Sequence, residues 1–190
     1  MGLDPALLRA LRAASYLAFV VAWIAVAVGA VAGAIPRRSL GEPPMALPGA
    51  RVVAGVLLQA LSLAVVVSSA RYPLTPPLLA LACTLILAPV SASLFVWTQI
   101  VSFRQCNAQL ITWGPFARLR HPAYASLLGM LVSTALLAWS PWYFLVGVAL
   151  YAVGTEARIA REEEELAGRF GEEFSEWVRR VRWRYLPGLR

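Results

Sequence analysis

The chain has 190 residues, 59% of them hydrophobic and only 14% charged, and its mean hydropathy of +0.67 excludes an ordinary soluble domain and places it in a membrane. All 17 basic residues are Arg, and against 10 acidic ones they give a formal charge of +7, which suits anionic lipid headgroups rather than nucleic acid.

From the N-terminus, Arg9 and Arg12 precede an uncharged run over residues 13–35. At about 1.5 Å per residue this run crosses a hydrocarbon core of roughly 30 Å, and it is too long for the apolar region of a cleavable signal. It reads as a retained first span. Ala25, Gly29 and Gly33 form a small-residue stripe along it, which favours close helix packing and leaves a homodimer through this span open. Residues 52–70 form a second uncharged run, and residues 78–103 a third, in which Pro89 predicts a kink. The fourth, residues 121–155, is divided by "WSPWY" at 139–143, whose proline and tryptophans mark a turn at an aromatic belt. This predicts a hairpin of two shorter helices, with Ala125, Gly129 and Ser133 as a second small-residue stripe. The expected fold is all-α, with about five transmembrane helices and a charged, amphipathic helical C-terminal segment. A single membrane domain over residues 1–190 is the simplest partition, with three helices in 1–105 and the hairpin and tail in 106–190.

Arginine placement orients the chain. With five spans, Arg37, Arg38, Arg51, Arg104, Arg118, Arg120 and the arginines after residue 157 collect on one side, whereas Arg9, Arg12 and Arg71 collect on the other. The positive-inside rule then puts the N-terminus outside and the tail in the cytoplasm. Cys83, Cys106 and a single histidine offer neither a disulfide pattern nor a metal site.

Eight of the ten acidic residues fall between Glu156 and Glu176. The tail continues the last span as a charged helix whose apolar positions Leu166, Phe170, Phe174, Trp177 or Val178, and Val181 recur at three and four residues, so one face packs on protein or membrane. Gly171 divides this helix. The part beyond it, with Trp177 and Trp183 among Arg179, Arg180, Arg182 and Arg184, has the makings of an interfacial helix. Glu164, Glu165, Glu172, Glu173 and Glu176 read as solvated. Arg158 and Glu162 are four apart and share one helix face where the last span leaves the bilayer. On a solvated helix the pair is of little consequence; at the mouth of a cavity it sets a fixed cation beside a fixed anion.

The stretch "RLRHPAYAS" at 118–126 contains the sole histidine, His121, directly before Pro122. A residue before proline is extended, and proline suits the first helical position, so His121 precedes a helix whose first amides near Ala123, Tyr124 and Ala125 favour an anion. Just upstream, "LITWGPFARLR" predicts a Gly-Pro turn flanked by Trp113 and Phe116, a flat apolar surface for a ring. A topogenic cytoplasmic loop accounts for the same residues equally well.

Taken in order, "LITWGPF" at 110–116, "RHPAY" at 120–124, "RIAREE" at 158–163, "FGEEF" at 170–174 and "LP" at 186–187 resemble the isoprenylcysteine carboxyl methyltransferase family of integral membrane enzymes, related to the phospholipid methyltransferases. The first two spans carry no matching motif. The resemblance makes 106–190 the catalytic half and implies S-adenosylmethionine as cofactor, held on the cytoplasmic side, with a lipid-like or prenylated acceptor entering from the bilayer. It implies cofactor contacts at Gln109, Leu110, Ile111, Phe116, His121, Pro122, Ala123, Tyr124 and Glu162, with Ala108 at the edge, and an acceptor-carboxylate role for Arg158. Arg158 and Glu162 are thus the residues expected to carry the reaction. Phe116 stands where the family usually has tyrosine, Ser126 where glycine commonly follows, and Ala108 where histidine is frequent. A carboxylate is already ionised near neutral pH, so its methylation needs alignment and desolvation rather than a general base. Two other readings remain: a sterol-reductase-like enzyme using NADPH, and a non-catalytic scaffold whose tail binds anionic lipid. All-Arg basic usage and abundant alanine suggest a GC-rich genome, and a chain this short resembles prokaryotic members, where a prenylated protein is not the presumed acceptor and an amine, thiol or lipid carboxylate would fit the same cavity.

Overall fold

A computed structural model describes residues 4–34, 49–69, 76–104, 109–186 and 188, without the side chains of 25–34, 103 and 104. Arg37, Arg38, Arg71, Cys106, Ala108 and Pro187 therefore lie outside the described residues, and of Arg104 and the stripe of Ala25, Gly29 and Gly33 only the helical backbone is described. Six α-helices account for the described residues: α1 (Pro5–Ala34), α2 (Ala50–Ser68), α3 (Leu78–Arg104), α4 (Pro122–Ala138), α5 (Pro141–Phe170) and α6 (Glu172–Arg180), and a 3-10 turn (Gly114–Ala117) lies between α3 and α4. No strand occurs among the described residues.

α1 begins earlier than its uncharged run, because Asp4 Oδ1 accepts the Ala6 amide at 2.9 Å and Pro5 occupies the first helical position. Its early turns therefore carry Arg9 and Arg12. The Arg12 side chain is buried and its Nε donates to the Leu137 carbonyl at 3.0 Å, at the far end of α4. Among the helices, α1 from Pro5 to Ile24, α2, α3 and α5 are long and apolar enough to cross a membrane, whereas α4 has 17 residues. Of the roughly five transmembrane helices expected, four thus have spanning length; of the predicted hairpin of two shorter helices, α4 is short but α5 has 30 residues. Pro122 fixes where α4 starts, and Trp139, at φ 49° in the left-handed region, ends it. Trp139 and Ser140 are the turn predicted from "WSPWY", and Pro141 opens α5.

Small residues set the helix spacing. A Cβ on Gly154 of α5 would lie 2.7 Å from the Gly55 carbonyl oxygen of α2, and one on Gly129 of α4 would lie 2.1 Å from Ser91 Oγ of α3. The α4 stripe thus does what its spacing predicts, letting two backbones approach. Polar groups seal the same seams: Ser62 Oγ donates to the Gly147 carbonyl at 2.8 Å, and Thr84 Oγ1 reaches the Ser133 carbonyl at 3.3 Å. Around α4, Phe19, Tyr124, Leu127, Leu131 and Tyr151 form the main core.

The tail departs from expectation. α6 stops at Arg180, and instead of continuing as an interfacial helix the chain runs back across the start of α4, where the Arg120 amide donates to the Trp183 carbonyl at 2.9 Å and the His121 amide to the Arg184 carbonyl at 2.8 Å. Those two amides precede a helix and have no intrahelical acceptor, so a returning segment satisfies them. Phe174 and Trp177 of α6 are buried against Leu110 and Val181, so this apolar face packs on protein.

Candidate active site

Between α3 and α4 the chain makes a close turn rather than an open loop. Gly114 sits at φ 63°, where a side chain would be strained, and Pro115 is buried in the 3-10 turn that follows. The Trp177 indole N–H donates to the Phe116 carbonyl at 3.3 Å, tying α6 to this turn. His121, at φ −128° and ψ 66°, is kept out of helical geometry as its position before proline predicts, but its ψ falls short of the extended backbone expected.

These elements enclose a cavity of about 310 Å³, at the small end of the range for ligand pockets. Gln109, Leu110, Ile111 and Phe116 line it from the turn, Arg120 and His121 from the start of α4, Glu162, Leu166, Arg169 and Phe170 from α5, Trp177 from α6 and Ser102 from α3. Six of the residues singled out from the sequence as cofactor contacts are thus brought to one cavity. Pro122, Ala123 and Tyr124 do not line it; Tyr124 stands behind, its hydroxyl donating to Glu162 Oε1.

The four consecutive glutamates separate by direction. Glu162 faces the cavity, with Oε2 3.5 Å from His121 Nδ1 and Oε1 4.0 Å from Arg158 Nη2. Glu163 turns toward the returning tail and pairs with Arg120 at 3.0 Å, His121 Nε2 at 3.2 Å and Arg184 at 2.9 Å. Arg184 also reaches Glu156 at 2.8 Å. Glu164 meets Arg51 and Arg161 on the exposed side, and Glu165 meets Arg161. Burial alone would lower the pKa of His121, but hydrogen bonds and charge from Glu162 and Glu163 outweigh it and raise the pKa above the ordinary value. Burial lowers that of Arg120 against the opposing pull of Glu163, without threatening its charge near neutrality.

Deeper in the bundle lies Arg158, 2% exposed. Its Nη1 donates to Gln59 Oε1 of α2 at 2.8 Å, its guanidinium carbon lies 5.1 Å from the centroid of the Tyr124 ring, and its Nε has no hydrogen-bond partner among the described residues. Gly55 admits the stem, since a Cβ there would come within 2.6 Å of Arg158 Cγ. Tyr124 is held in turn by Tyr151, whose hydroxyl donates to the Tyr124 carbonyl at 2.9 Å. Gln59 and Arg184 belong to none of the motifs in the sequence, and Glu163, though within "RIAREE", is given no role by that motif. A polar residue in an otherwise apolar span was the available clue to Gln59.

Fold and site together define a helical membrane protein with a ligand-sized cavity and a buried arginine at the charged end of its bundle. Residues 75–168 match the isoprenylcysteine carboxyl methyltransferase (ICMT) family, and the match supports that family for the chain. The family implies membrane methyltransferase activity. The matched range takes in α3 and ends before Phe170, so the "FGEEF" and "LP" elements and the first two helices fall outside it. No curated protein and no solved structure matches the chain.

Proposed function

We propose that the protein transfers a methyl group from S-adenosylmethionine to the carboxylate of a lipid-like, isoprenylcysteine-type acceptor at the cytoplasmic membrane face. The observation that carries this reading is the convergence of Gln109, Leu110, Ile111, Phe116, His121 and Glu162 on one cavity with Arg158 adjoining it. The donor set fits the cofactor: Leu110, Ile111, Phe116 and Trp177 give an apolar and aromatic surface for the adenine, Glu162 an anion for its positive groups, and Arg120 with His121 cations for its carboxylate. When bound, that cofactor supplies an electrophilic methyl group on a sulfonium. Arg158 holds the acceptor carboxylate in a low-dielectric setting, where loss of water makes the anion a better nucleophile. No residue is required to remove a proton, and His121 stands between two carboxylates that favour its protonated form. Arg51, Arg118, Arg120 and the tail arginines lie at the site's end of the bundle and Arg9 and Arg12 begin at the other, which supports a cytoplasmic site. α4 crosses as a fifth helix inside the bundle, and the acceptor reaches Arg158 from the surrounding lipid.

Binding of radiolabelled S-adenosylmethionine and of NADPH to detergent-solubilised protein tests the cofactor. Membranes incubated with methyl-labelled cofactor and analysed by mass spectrometry identify the acceptor. S-adenosylmethionine is expected to bind and NADPH not. Arg158→Ala should bind cofactor within about threefold of the unaltered protein yet transfer at least about a hundredfold more slowly, as loss of an aligning group predicts. Unchanged turnover in that variant would remove the assigned role of Arg158.

A further inference from the structure

We propose that Gln59, on α2 and outside the family-matched segment, is a positioning residue that holds Arg158 by an uncharged hydrogen bond and so leaves its charge available to an anionic acceptor. The inference rests on the reading of Arg158 as the acceptor-binding group. Gln59 is fully buried, its Oε1 accepts from Arg158 Nη1 at 2.8 Å, and its Nε2 donates to Thr155 Oγ1 at 2.9 Å. The two bonds fix the amide: reversed, it would set an NH2 group against the guanidinium. Thr155 and Arg158 lie three apart on α5, so Gln59 bridges one face of that helix and orients the arginine from a neighbouring helix.

The type of residue matters as much as its place. A buried arginine is ordinarily satisfied by a carboxylate, which holds the side chain and cancels its charge. Here the direct hydrogen bond comes from a neutral amide, while Glu162 stands 4.0 Å away and is engaged by His121 and the Tyr124 hydroxyl. The aromatic face of Tyr124 covers the guanidinium, and Nε has no hydrogen-bond partner among the described residues. The arginine is therefore rigid but not neutralised, the state in which it gains most from an incoming carboxylate.

Two near-isosteric substitutions separate this role from simple packing. Gln59→Glu keeps an acceptor for Arg158 but adds the cancelling charge, whereas Gln59→Met keeps the volume, loses the hydrogen bonds and adds no charge. The probes are N-acetyl-S-farnesylcysteine, which carries a free carboxylate, and its methyl ester, with affinities measured in detergent micelles and melting temperatures recorded for each variant. The unaltered protein should prefer the acid by about tenfold or more, the scale of one charge-assisted contact. Gln59→Glu should abolish that preference, and Gln59→Met should retain it with affinity weakened a few-fold. A purely structural glutamine predicts the reverse order, with Gln59→Met the more damaging; that order, or an acid preference intact in Gln59→Glu, overturns the inference. An unaltered protein that does not prefer the acid overturns the Arg158 assignment itself, and this inference with it.

Discussion

His121 illustrates how one side chain is defined by its neighbours. Both ring nitrogens face carboxylates, Nδ1 toward Glu162 and Nε2 toward Glu163, while Arg120 shares Glu163 and Arg158 lies beyond Glu162. The Tyr124 ring is 6.0 Å away. The folded-state pKa is raised above 6.5, so the charged pairing contributes fully to stability below about pH 6.5 and is lost as pH rises through the folded-state value. The melting-temperature gap between the unaltered protein and His121→Asn should accordingly be widest in mild acid and shrink in mild alkali, leaving a constant packing part; a gap that does not vary with pH would contradict the pairing. The sequence showed this residue clearly, because a lone histidine before a proline has one expected backbone state and Glu162 lies on the face of Arg158. It set Glu162 at the site and Glu164 and Glu165 in solvent, but assigned nothing to Glu163. Glu162 and Glu163 point to the cavity and to the tail respectively, and that distinction depends on where Arg120 and Arg184 arrive from distant parts of the chain.

Among the helices, α2 and α5 form the pair on which Arg158 depends. They approach through Gly55 and Gly154, where any side chain would collide with the facing helix. Gly154→Ala must push backbone from backbone, since its Cβ would meet the Gly55 carbonyl oxygen at 2.7 Å, at an expected cost of about 1–3 kcal/mol. A lowered melting temperature in detergent, accompanied by loss of methyl transfer beyond the loss of fold, is the expected result; an unchanged melting temperature would show that the helices are not in this contact. The spans themselves were legible because uncharged runs and their arginine borders are linear features of the chain. Pairing between spans was not: Gly55, Gln59 and Ser62 mark one face of α2 as the buried one, but not which helix meets it. The partner of Gln59 is legible only in the helix opposite. The end of α6 was missed differently: its apolar spacing continues to Val181, but the unpaired amides of Arg120 and His121 make a returning, non-helical segment the better use of residues 183–184.

As a whole, the molecule places its apolar helices in one body and its charged chemistry at one end, with the tail folded back across the start of α4 beside the cavity. Removal of residues 181–190 takes away the carbonyls of Trp183 and Arg184 and the cation paired with Glu156 and Glu163. Helical content measured by circular dichroism should fall little, while cofactor binding should be lost; a truncated protein that binds cofactor normally would show the tail to be dispensable to the cavity. The backbone bonds from Arg120 and His121 to Trp183 and Arg184 also carry a consequence for biogenesis. The partners of these two amides are translated only after α5 and α6, so the start of α4 stays unpaired until the last helices have been made. Completion of the pocket is thereby reserved for the final step of chain synthesis, after all its lining residues exist.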